Sequence, residues 1–210
     1  MGDVAAVAQR IRDALFSRDL TARVVRSNGD ATRYQELTGA AAPPEVAELW
    51  STLGGVDVAG MYLEGAESAG QACDARASEA EAYGPGVPYE ELDGSTDLAV
   101  RNVWWDRGWC PLVLTADNAV AVDNHPGNAG KVGQVIYCDF EVYSDREAIW
   151  DSVVEFLHDV LTVLSSKELV IENGFGSLPT DDGWSRTVMM SAVEIGIARR
   201  DGRPAKVPTA

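Results

Sequence analysis

The 210-residue chain is poor in the residues that most chemistry needs, with two histidines and three cysteines in all. No CxxC or HExxH occurs, so the usual zinc and dithiol signatures are missing. GxSxG is absent too, which removes the common serine-hydrolase elbow. Gly130-Lys131 looks superficially like a phosphate loop, but His125 stands where the first glycine belongs and Val132 where Ser or Thr should follow. Cations are scarce as well: 17 Lys and Arg against 33 Asp and Glu leave a formal charge of -16. Such a surface repels a phosphate backbone, so nucleic acid is excluded as a direct partner. No run approaches the roughly 18 apolar residues that span a bilayer. The first 13 residues carry no basic start followed by an apolar core, and Ala6 stands where a myristoylation signal wants Ser or Thr. A cytoplasmic protein with no membrane contact is expected. Cys73, Cys110 and Cys138, odd in number and widely spaced, fit three reduced core thiols.

What the chain does have is core material, at 46% hydrophobic residues. Asp3 can cap a helix over residues 4–18, where Val4, Val7, Ala8, Ile11 and Leu15 recur at three- and four-residue spacing. A loop or strand is expected at 22–25, and a short helix at 32–37 ending at Gly39. Pro43 and Pro44 open a helix with Val46, Leu49, Trp50 and Leu53 inward, and Gly54 or Gly55 is suited to end it in a left-handed conformation. Residues 56–63 read as one strand, 67–83 as an alanine-rich exposed helix and 84–95 as a loop.

An antiparallel meander follows, with strands at 99–105, 110–115, 119–122 and 134–140 broken by Asp, Asn, Pro and Gly turns. Ser144 with Glu147 forms a capping-box pattern ahead of Ile149, Trp150, Val153, Phe156, Leu157, Val160, Leu161 and Leu164, which predicts a helix lying across that sheet. Residues 168–172 and 186–199 are apolar enough to be ordered. They suit strands added to a sheet edge, or a helix in the second case; disorder is expected after Arg200. The fold class expected is α+β, an antiparallel sheet covered by helices. It forms a single domain over residues 1–165 with a carboxy-terminal extension over 166–210.

Trp109, Pro111, Asp123, Pro126, Gly127, Gly133, Gln134 and Val135, preceded by PPEVAELWSTLGG at 43–55, resemble the pattern of the SUKH superfamily. Its namesakes are yeast cell-wall assembly regulators and its bacterial members are mostly toxin-immunity proteins. The resemblance extends over roughly residues 5–164, with Ala42 where the family usually has Leu. It implies a non-enzymatic protein-binding domain that binds and neutralises a cognate, basic protein toxin, a nuclease among the options, with no cofactor and no metal. A regulatory scaffold for a signalling or cell-wall synthesis protein is the alternative, and a small-molecule or enzymatic pocket is the second.

Trp104 and Trp105, adjacent on a strand, would face opposite sides, one filling the core and one looking outward beside Asp106 as a partner anchor. Burial of both is the competing arrangement. Around them Glu64, Glu67, Asp106, Asp123, Asp139 and Glu141 would supply an acidic rim acting on association rate. Asp123 and His125 invite an acid-base or metal reading, against which stands a plain hydrogen-bonded turn. Trp109, ahead of a strand proline, is expected in the core.

Overall fold

The computed structural model describes residues 3–18, 30–83, 99–101, 103–141, 146–180 and 184–205. Helix α1 (Val4–Ser17) starts where Asp3 accepts a hydrogen bond from the Ala6 N–H, and it buries the five apolar residues read from the spacing. Helix α2 (Ala31–Thr38) is capped by Asp30 and stopped by Gly39 at φ 74°. Helix α3 (Pro44–Leu53) buries Val46, Leu49, Trp50 and Leu53, and Gly55 takes the positive φ after it.

Residues 56–63 are a hairpin instead of one strand. β1 (Val56–Val58) and β2 (Met61–Leu63) pair antiparallel across Ala59 and Gly60, both at positive φ as the tight two-residue turn demands. Helix α4 (Ala66–Tyr83) follows as expected, although it is less exposed than its composition suggests, because Ala66, Ala69, Cys73 and Ala77 are buried.

The central sheet is a four-stranded antiparallel meander in sequence order: β3 (Trp109–Leu114), β4 (Asn118–Asp123), β5 (Gln134–Asp139) and β6 (Arg146–Trp150). Both faces are covered, so its strands are nearly continuous apolar runs. Val120, Val122, Val135 and Trp150 pack toward α1, α3 and α5 (Val153–Ser165), while Ala119, Ala121, Ile136 and Cys138 face Trp105, Trp109, Phe140 and Ala77.

Two expectations about this region are corrected. The described residues of this stretch, 99–101 and 103–105, form no strand: they are turns, bends and irregular backbone, and Val100 and Trp105 pack on the second face of the sheet. The helix expected from Ser144 begins eight residues later. Ser144 itself lies outside the described residues, but 146–150 form β6, and the capping box is Ser152 with Glu155. Ser152 Oγ accepts from the Glu155 N–H and the Glu155 carboxylate accepts from the Asp151 N–H. Both serine-glutamate pairs carry the same signature; pairing of 146–150 with β5 decided between them. The expected strand or loop at 22–25 and the loop at 84–95 also lie outside the described residues.

The carboxy-terminal extension builds its own sheet rather than extending the meander. β7 (Val170–Glu172), β8 (Phe175–Pro179) and β9 (Ser185–Thr187) pair antiparallel in order, with Asn173 and Gly174 at positive φ forming the first turn. Helix α6 (Val188–Arg200) is capped by Thr187 and closed by Gly202 at φ 66°, with Gly202 N–H to Arg199 O and Arg203 N–H to Ala198 O. Ordered backbone therefore continues past Arg200, where disorder was expected. α6 shares the main core through Val188, Met189, Ala192, Val193 and Ile195. Gly196 lets it approach β6, since a Cβ there would lie 2.7 Å from Trp150 Nε1. Asp159 of α5 joins the layers, accepting from Trp150 Nε1 at 2.7 Å and from Arg199 at 2.6 Å.

Candidate functional site

Asp123, Pro126, Gly127, Gly133 and Gln134, among the residues that carried the sequence resemblance, lie in or border the loop between β4 and β5. Asp123 is fully buried at the end of β4, opposite Trp109 and Gln134. Its Oδ1 accepts from the His125 N–H at 2.9 Å and its Oδ2 from Gln134 Nε2 at 3.0 Å. Gln134 also donates to the Ala99 carbonyl at 2.8 Å and accepts from the Lys131 N–H. Gly127 N–H bonds Ala99 O, and a Cβ at Gly130 would strike that same carbonyl. Burial raises the Asp123 carboxyl above its ordinary value, with Gln134 and the His125 amide opposing the shift. The Asp, Pro-Gly and Gly-Gln elements thus lock a loop against residues 99–101.

His125 points away from Asp123. Its side chain is exposed, and Nδ1 lies 2.9 Å from Asp106 Oδ1. A carboxylate can only accept, so this contact selects the tautomer with hydrogen on Nδ1 and leaves Nε2 facing outward. Asp106 also accepts from the Gly108 N–H at 2.7 Å and pairs with Arg101. Its side chain is 10% exposed and its acceptor capacity is turned inward. Of the two readings of the 123–125 turn, the geometry matches the hydrogen-bonded one. Among the described residues no three His, Cys, Asp or Glu side chains converge to hold a metal ion.

The tryptophan pair is not a strand pair with opposite faces. Trp105 is buried edge-on against Trp109 at 5.5 Å between ring centroids. Trp104, half-buried, leans on Phe140 at 5.2 Å and under the Arg146 guanidinium. Arg146, buried, donates to the carbonyls of Trp104 and Asp139, and with Arg76 it brackets the Phe140 ring. Trp109 is in the core, as its place before Pro111 suggested.

The carboxylates expected to form one acidic rim do not meet. Asp123 and Asp139 sit at opposite ends of the sheet, because Asn118 pairs with Asp139 while Asp123 pairs with Gln134. Five residues of strand separate the two ends, about 17 Å. Asp139 and Glu141 form a local turn, the Asp139 carboxylate accepting from the Glu141 N–H at 2.8 Å. Glu64 is buried, its carboxyl raised by desolvation and partly offset by Ser68. Glu67 is exposed in the first turn of α4, 3.9 Å from Arg33. Nine residues of helix, about 14 Å, separate it from Arg76 above Phe140. Of these carboxylates, Glu67 and Glu141 are exposed and Asp139 is half-buried.

The three cysteines are buried, and burial pushes the Cys138 thiol up to about 12. Burial disfavours the thiolate at all three. A cleft of about 380 Å³ lies between the β4–β5 loop, β6 and α6, flanked by Lys131, Asp151, Glu155, Arg199 and Arg200. Its charges are paired with each other or with neighbours, as in Lys131–Asp151 and Arg200–Glu147.

The sequence reading missed three exposed apolar side chains of the carboxy-terminal extension, Trp184, Phe175 and Val170, at 77%, 67% and 48% exposure. The signal for Phe175 was present: Asn173-Gly174 between two apolar segments is a strong short-range mark of a hairpin. No described helix is long and apolar enough to cross a membrane. Comparison with known proteins finds no family model that matches the chain and no match among curated proteins.

Proposed function

We propose that this protein is a non-enzymatic binding domain whose partner is a basic protein, in the manner of an immunity protein that sequesters a cognate toxin. The observation that carries the reading is the formal charge of -16 on a chain whose polar groups around the β4–β5 loop are consumed in holding that loop. A strongly acidic surface accelerates encounter with a cationic partner and discriminates against acidic ones. The SUKH resemblance of residues 43–55 and 109–135 supports the toxin-neutralising form of that binding.

The test is growth rescue. The basic protein that co-purifies with this chain is expressed alone and together with it. Toxicity alone and rescue by co-expression are the expected results. A partner harmless by itself would overturn the immunity reading and leave a scaffold.

A further inference from the structure

Lys131, Arg199 and Arg200 line the cleft of about 380 Å³ between the β4–β5 loop, β6 and α6, where they outnumber the carboxylates of Asp151 and Glu155. The chain as a whole has the opposite balance, 17 Lys and Arg against 33 Asp and Glu. Small-molecule sites have volumes of about 300–1,000 Å³, so the cleft is large enough for one.

Packing of α6 on β6 builds the cleft. Gly196 brings the helix against Ile149 and Trp150, where a Cβ would clash. Arg199 and Arg200 follow within the next turn and stand on that same face of the helix. Ala148, Ile149 and Trp150 supply a wall from β6, and Ala99 and Ala129 add apolar surface from the side of the β4–β5 loop.

Both guanidiniums are held by the protein on one edge and keep donors on another. Asp159, buried and already bonded to Trp150 Nε1, accepts from Arg199 Nη2 at 2.6 Å. Arg199 Nε and Nη1 make no hydrogen bond among the described residues. Arg200 donates through Nη1 to Glu147 at 2.8 Å and to the Ala148 carbonyl, and through Nε to Asp201, which leaves Nη2 unused among the described residues. A guanidinium fixed in this way offers its remaining donors to a second oxyanion at little ordering cost.

We propose that this cleft binds the anion of a small carboxylic acid, with the carboxylate on Arg199 and Arg200 and the apolar body along Ala148, Ile149 and Trp150. The inference goes beyond the protein-binding reading and does not depend on it. Charge selects a monoanion. Asp159 and Glu147 already balance the two guanidiniums, so a phosphate dianion would meet a nearly neutral site in a chain of charge -16. Length limits the body: from Ala148 to Asp151 the wall runs about 10 Å at the rise of an extended chain. An aromatic acid or a short aliphatic one fits that span.

The probes are benzoate and hexanoate, with benzamide as the uncharged shape match and acetate and inorganic phosphate as anions without an apolar body. Each is titrated into the intact chain at constant ionic strength, and the Trp150 indole N–H and Ala148 methyl signals are followed by NMR. Benzoate and hexanoate should saturate these signals with Kd of about 1 mM, the scale for ligands so small. Benzamide, acetate and phosphate should bind at least about tenfold more weakly. Arg200→Gln removes a side chain whose exposed ion pairs add little to stability, and it should weaken benzoate about tenfold. Arg200→Lys should recover only part of that loss, since an ammonium lacks the planar fork. No saturation by either carboxylate would overturn the proposal. Benzamide binding as well as benzoate would make the cleft merely apolar, and phosphate binding as well would remove the preference for a monoanion. Unchanged benzoate affinity in Arg200→Gln would move the site elsewhere.

Discussion

Gly196→Ala sets two effects of opposite sign against each other. In an exposed helix the change would stabilise by up to about 1 kcal/mol, because alanine is the better helix former. Here an added Cβ would lie 2.7 Å from Trp150 Nε1 and 2.8 Å from Cε2, and it would also strike Ile149 Cγ2. The Trp150 ring cannot swing aside cheaply, since its N–H is bonded to Asp159 and its face packs edge-on with Phe156 at 5.1 Å. Overpacking of this kind costs about 1–3 kcal/mol, and the rigidity of the neighbours puts this site at the upper end. The net expectation is destabilisation by about 2 kcal/mol, or roughly 4–8 °C in Tm for a chain of this size. Thermal and urea unfolding of both proteins, followed by tryptophan fluorescence, measure it. A Tm equal to or above wild type would refute the close approach of α6 to β6 and return the extension to the status of an appendage.

Other outcomes follow from single contacts. Trp109→Ala should cost about 3–5 kcal/mol in urea unfolding, because it empties the centre of the core face shared with Trp105, Ile136 and Cys138; normal unfolding with only partner binding lost would contradict that placement. Burial raises the Glu64 carboxyl, so the folded state holds its proton more tightly than the unfolded state does, and stability from this group is lost as pH rises from about 4 through the raised value. Glu64→Gln should therefore gain on wild type between pH 4.5 and 7.5 in urea midpoint, and a constant or shrinking difference would reverse the assigned sign. Gly174→Ala, at φ 86° in the β7–β8 turn, should lose about 1 kcal/mol and broaden amide signals of that hairpin, whereas an unperturbed hairpin would argue against the turn.

Much of the scaffold is legible because its signals are local. Asp3, Asp30 and Gly39 bound helices by their own hydrogen bonds or backbone conformations, and the β3–β5 meander follows from apolar runs between turn residues. The errors arise where two local signals compete or where partners are distant. Ser144-Glu147 and Ser152-Glu155 are equivalent as caps, and only pairing with β5 turns 146–150 into a strand. Residues 99–105 look like a strand by alternation, yet no described strand lies beside them and Val100 and Trp105 are needed on the sheet face. The proposed acidic rim failed for a metric reason. Residues near in sequence, or matched in a meander, stand at opposite strand ends once the register is fixed. The exposed face of β7–β9 was hidden because exposure depends on what fails to cover it, which the pattern of its own strands does not contain.

The most direct test is retention of partners by the tagged intact chain from its native host at low and moderate salt, with bound proteins identified by mass spectrometry. Protein binding driven by charge and anchored by apolar contacts predicts one basic partner, strongly held at low salt and only partly lost at moderate salt. No basic protein held at either salt, together with thermal stabilisation by a small molecule, would contradict it and move the function to the cleft beside Lys131 and Arg199.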